Sequence, residues 1–133
     1  MIDEQVAALQ AERAAEGAAP ATMTPLPNGA YLIGIPDVNI GTGWNRKTAN
    51  VLFVAPPGYP TAPPDCFWVA PNEFRLENGA TPQASNDSNA IPGDTDPNRR
   101  TTWFSWHVQN WDPNSGSLLT YFRVIMSRLK PAR

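Results

Sequence analysis

Two helix-like stretches at the ends of the chain, with three short apolar runs between them, predict an α+β fold. The runs are separated by proline and glycine turns, and such short connections join neighbouring antiparallel strands. The chain has 133 residues, the size of one domain, and all of it is read as a single unit, 1–133.

The elements follow in order. Residues 3–16 predict a helix, with Asp3 as N-cap and a body dominated by alanine and glutamate. Its apolar stripe is thin (Ile2, Val6, Leu9), and Gly17 stops it. Residues 18–28 read as a linker with three prolines. Residues 29–35 are the first strand, bounded by Asn28-Gly29 and Pro36. A turn holding Gly41 and Gly43 leads to a second strand, 48–55, which Pro56-Pro57 ends. Residues 66–70 are the third strand of the meander. Residues 72–101 have almost no apolar pattern and read as a long polar loop, of the kind that is usually functional or disordered. Residues 103–111 form an aromatic segment. If extended, it puts Trp103, Ser105 and His107 on one face. Trp106 and Trp111 are expected to be buried and Trp103 exposed. The last helix is capped by Ser115 or Ser117 and runs to about Lys130, with Leu118, Phe122, Ile125 and Leu129 on one face.

Composition excludes several classes. With 41% hydrophobic and 17% charged residues the chain is not disordered as a whole. A net charge of −2 leaves no basic surplus for a nucleic-acid backbone, so no nucleic-acid partner is expected. No apolar run approaches a membrane span, and the acidic start is unlike a secretory signal, so no membrane association and a cytoplasmic location are expected. One cysteine, Cys66, and one histidine, His107, give no disulfide framework and no Cys-based zinc site; a protein free of metal and cofactor is expected. Fifteen prolines, about twice the average frequency of roughly 5%, mean many fixed turns.

The strongest local signature is Tyr59-Pro60-Thr61-Ala62-Pro63-Pro64-Asp65, between two strands, followed downstream by Trp111-Asp112-Pro113 and a capped helix. This series of landmarks resembles the ubiquitin-conjugating enzyme (UBC) superfamily over about residues 3–130, with Tyr-Pro-x-x-Pro-Pro before the last sheet strand, then an active-site stretch, Trp-x-Pro and a helix. It is most similar to divergent bacterial UBC-like proteins, which are encoded beside a ubiquitin-like protein, a ThiF-type activating enzyme and a JAB-type peptidase. The resemblance implies a UBC-like fold with 72–101 as an active-site loop. It also implies a carrier that takes a ubiquitin-like protein from its activating enzyme as an ester and passes it to an acceptor, a protein among the candidates.

In the family the nucleophile is a cysteine just before Trp-x-Pro, downstream of a His-Pro-Asn. This chain departs from both. Cys66 falls at the start of the last sheet strand, where a buried, structural cysteine is the favoured reading. Eight residues before Trp111 stands Trp103, which is no nucleophile; a shift of two reaches Ser105, the only Ser or Cys between Trp103 and Trp111. A serine needs a base, and His107 lies two residues on. The resemblance therefore implies an oxyester on Ser105 assisted by His107. Against it stands a structural serine and a histidine bonded to a loop carbonyl. Ala70-Pro71-Asn72 looks like a His-Pro-Asn without its histidine, so Asn72 is either an oxyanion donor or part of an ordinary turn. Asp112 either serves His107 and the attacking amine or caps the last helix. The alternative function is a catalytically inactive UBC variant that binds a ubiquitin-like protein as a scaffold.

Overall fold

The computed structural model describes residues 2–133. Helix α1 (Ile2–Ala15) is followed by β1 (Thr22–Pro25), β2 (Tyr31–Asn39), β3 (Thr48–Ala55), β4 (Phe67–Ala70), β5 (Ser85–Asn86), β6 (Thr102–Phe104) and helix α2 (Leu118–Leu129). The strands form one antiparallel sheet in the order β1-β2-β3-β4-β6-β5. An α+β, UBC-like arrangement is thus present: a helix, a meander, a long excursion to the far edge of the sheet, and a closing helix.

Strand alternation divides the core in two. Ile33, Val51, Phe53, Phe67, Val69 and Phe104 point to the face that carries the helices, where they meet Leu9, Leu118, Tyr121, Ile125 and Leu129. Their neighbours Leu32, Leu52 and Trp68 point to the other face and pack with Leu26, Cys66 and Ile91. Both faces are apolar, so both need a cover. Ile91 comes from the stretch read as a polar loop, and the Trp68 indole N–H donates to the Asn89 carbonyl at 2.9 Å. The Asn89–Ile91 part of 72–101 therefore lies against the outer face of the sheet, Phe74 enters the helix-side core, and the Ala84–Asn86 portion runs beside β6.

Two sequence readings change in detail. The stretch 18–28, read as a linker, contributes β1, which pairs with β2 from Thr22↔Gly34 to Pro25↔Tyr31. It is an edge strand, where a proline leaves no ladder bond unmade. Asp3 lies inside α1 rather than capping it.

Helix α2 is capped by Ser117, whose hydroxyl accepts from the Thr120 amide while Thr120 Oγ1 accepts from the Ser117 amide. Gln5 ties the helices together: its Oε1 accepts the Leu118 amide at 3.1 Å and also the Tyr59 hydroxyl. Asp87 anchors the long loop, accepting from the Arg75 guanidinium, the Thr102 hydroxyl and the Glu73 amide.

Trp68→Phe removes the bond to Asn89 and part of the outer-face contact. We expect a loss of about 1–2 kcal/mol in urea unfolding and faster amide exchange around 86–93. The Arg75 guanidinium, with Thr102 and the Glu73 amide, holds the Asp87 carboxyl below its usual range, against an opposing effect of burial. A lowered folded-state pKa adds stability above the unfolded value of about 4 and loses it as the pH falls through the folded value. Asp87→Asn is accordingly expected to cost about 1–2 kcal/mol at pH 7, with the gap to wild type closing as unfolding is measured towards pH 3.

Candidate active site

The site forms where β4 begins and β6 ends. Phe67 lies opposite Phe104, with their rings stacked at 4.8 Å, so the residues just outside the paired segment, Asp65-Cys66 and Ser105 to His107, emerge together. The Cys66 amide donates to the Trp106 carbonyl at 3.0 Å, and its own carbonyl accepts the buried Tyr121 hydroxyl at 2.9 Å. The Ser105 amide donates to the Ala84 carbonyl at 2.8 Å, so the β5 side of the long loop holds Ser105 in place. Beneath this corner Arg128, only 1% exposed, lies 5.0 Å from the Phe104 ring centre and 5.5 Å from that of Trp106, and donates to the Gln83 carbonyl.

The pairing brings together residues 42 apart in sequence: the Asp65 carboxylate is hydrogen-bonded to His107 Nδ1. Both side chains are open to solvent, at 65% and 59% exposure. With Nδ1–H directed at the carboxylate, Nε2 keeps its lone pair and can act as a proton acceptor. Cys66 lies beside the pair; its Sγ, a ring nitrogen of His107 and a carboxylate oxygen of Asp65 are all within 4.8 Å of one another. Burial pushes the Cys66 thiol up, and the charge on Asp65 adds to this, outweighing the lowering from the Trp106 backbone bond. The thiol is thus protonated at neutral pH.

Of the residues singled out from sequence, Ser105 and His107 lie in this corner, Ser105 half-buried and His107 exposed. The extended alternation that put them on one face does not reach His107, because β6 stops at Phe104. Asn72 is not brought to them. It lies past Ala70, the opposite end of β4 from Cys66, and its carbonyl accepts from Arg46 at 2.6 Å. Asp112 is not brought to His107 either: its carboxylate accepts the Asn114 amide and its carbonyl the Gly116 amide, which makes it the cap of a turn leading into α2. Trp103, Trp106 and Trp111 are all half-buried, so the expected contrast among them is absent. The Trp111 indole donates to the Pro60 carbonyl at 2.8 Å, which locks Trp-x-Pro onto the Tyr-Pro-x-x-Pro-Pro turn.

Asp65 is the residue that sequence reading missed. It closes the proline signature, but only the β4–β6 register shows that it meets His107.

Helices on one face of a four-strand meander, the two proline signatures bonded to each other, and a histidine-bearing segment beside the last meander strand define an E2-like domain of the ubiquitin-conjugating type. The chain belongs to Prokaryotic E2 family E, whose family model matches residues 23–132. No curated protein and no solved structure matches it. Among the described residues, no helix is long and apolar enough to cross a membrane.

Gly116 sits under the Trp111 ring, where a Cβ would come within 2.5 Å of ring carbon Cζ2. Gly116→Ala is expected to push Trp111 off the Pro60 carbonyl, costing about 1–3 kcal/mol in urea unfolding and changing the tryptophan emission of the folded protein.

Proposed function

We propose that this protein is a conjugating carrier: it accepts a ubiquitin-like protein from a ThiF-type activating enzyme as an oxyester on Ser105 and transfers it to an acceptor amine. The observation that carries this reading is the exposed His107–Asp65 pair, two residues along the chain from Ser105, in a chain that belongs to an E2 family. Ser105 Oγ attacks the activated C-terminal carbonyl and its proton passes to His107 Nε2. The C–O ester bond forms, the bond to the activating enzyme's leaving group breaks, and that group takes the proton from His107. The acceptor amine then attacks the ester carbonyl, and Ser105 recovers its proton as the amide forms. Asp65 holds the imidazole in the accepting tautomer and stabilises its charged form, as a positioning residue.

The closeness of Cys66 to His107 favours a second reading, a thioester on Cys66. Its low exposure of 8% and its raised pKa count against it.

The test combines the protein with a ubiquitin-like partner, an active activating enzyme and ATP, and follows intact mass for wild type, Ser105→Ala and Cys66→Ala. We expect an adduct that resists reductant, yields to mild base and is absent only in Ser105→Ala. An adduct cleaved by reductant and absent only in Cys66→Ala replaces the first reading with the second. No adduct in any form, with partners active elsewhere, leaves a scaffold that binds without carrying. His107→Asn is expected to slow ester formation about 10²–10⁴-fold, read from the time course of the adduct.

A further inference from the structure

We propose that Asp65, Cys66 and His107 form a three-donor site for a divalent zinc-like cation. The three donor atoms, one oxygen, one sulfur and one nitrogen, lie within 4.8 Å of one another. A tetrahedral zinc with bonds of 2.0–2.3 Å holds its ligands roughly 3.3–3.8 Å apart, so the widest separations close by up to about an ångström while the hydrogen-bonded Asp65–His107 pair opens to admit the ion. The two ligands that must move, Asp65 and His107, are the exposed ones, while Cys66 is fixed through its backbone at both ends.

The backbone itself supports the convergence. Neighbouring residues of a strand direct their side chains to opposite faces. Cys66 has φ +63°, a left-handed conformation that costs a non-glycine residue about 1–2 kcal/mol. This break in the strand just before Phe67 puts the donors of Asp65 and Cys66 on the same side, facing His107. Backbone strain of this sort gathers at functional sites.

The donor set selects the metal. A thiolate with an imidazole favours zinc over magnesium or calcium, which take oxygen ligands. Three protein ligands leave a fourth position, and the exposure of Asp65 and His107 opens that position to water. On binding, the cation displaces the Cys66 thiol proton to solvent and the thiolate takes its place, while neutral His107 binds through one ring nitrogen and keeps its proton on the other. This site departs from the metal-free expectation drawn from one cysteine and one histidine, because the fold adds a carboxylate from Asp65 beside them. A consequence rests on the conjugating reading: zinc occupies His107, the base for Ser105, and therefore blocks ester formation.

The experiment is a cobalt titration of the full, reduced chain, followed by absorption, with zinc added afterwards. We expect one cobalt per chain, a thiolate-to-cobalt charge-transfer band, and loss of that band to zinc. Asp65→Asn, His107→Asn and Cys66→Ala are each expected to weaken binding by more than about tenfold, the size of effect that even outer-shell changes reach at metal sites. No saturable binding overturns the site. So does a band that survives Asp65→Asn and His107→Asn unchanged, which reduces it to a lone thiol. These two variants change exposed side chains, so the test does not depend on Cys66→Ala folding. The titration uses no partner protein and is independent of whether an ester forms. Zinc binding without any effect on ester formation keeps the site and overturns its regulatory consequence.

Discussion

The pairing of β4 with β6 is the constraint on which the molecule depends. Three residue pairs, Phe67 with Phe104, Trp68 with Trp103 and Val69 with Thr102, join a meander to a segment that returns only after a long excursion. The alternation within those pairs sends the two phenylalanines to the helix face and the two tryptophans outward. The same pairs fix the side chains that emerge at each end. One end gathers Asp65, Cys66, Ser105 and His107, and the other gathers Thr102, Asp87, Glu73 and Phe74 in the network that anchors the loop. Arg128 secures the first end from below, its charge spread over two aromatic rings instead of a carboxylate.

The long loop follows from the same sheet. A sheet with apolar side chains on both faces and helices on one side only leaves Leu32, Leu52 and Trp68 without a partner. The loop supplies Ile91 and the Asn89 carbonyl to this face, and places Ala84 against Ser105 on its way. It is therefore both an outer wall and a support for the site. Its polarity is explained by turns capped by their own Asn and Asp side chains, at Asn78, Asn86, Asp94 and Asp96.

Legible and hidden features of the sequence divide along the range of the interactions. The last helix, its Ser117 cap and the three central strands rest on local periodicity and capping, and these are legible residue by residue. The strand at Thr22–Pro25 was hidden because its pairing comes from β2, and Pro20, Pro25 and Pro27 in and around it are turn signals. Ile91 was hidden because one apolar residue in a polar stretch has no period. Ser105, reached by counting back from Trp111, and His107, two residues on, both fall in the corner where β4 begins and β6 ends. Asp65 was not, because nothing local joins it to a histidine 42 positions away. Asn72 and Asp112 each have a family-like neighbour in sequence, but Asn72 lies at the other end of β4, where its carbonyl accepts from Arg46, and Asp112 caps a turn of its own.

The corner that carries Asp65, Ser105 and His107 contributes little to holding the protein together. Asp65 and His107 are more than half exposed, Ser105 follows the end of its strand, and the fold is held by Phe67, Phe104, Tyr121 and Arg128 behind them. Such a division uncouples inheritance of the scaffold from inheritance of the reaction. Residues such as Asp65, Ser105 and His107 can each be exchanged by drift while the frame that presents them persists, and a lineage built on this frame is free to alter what the corner does one surface residue at a time.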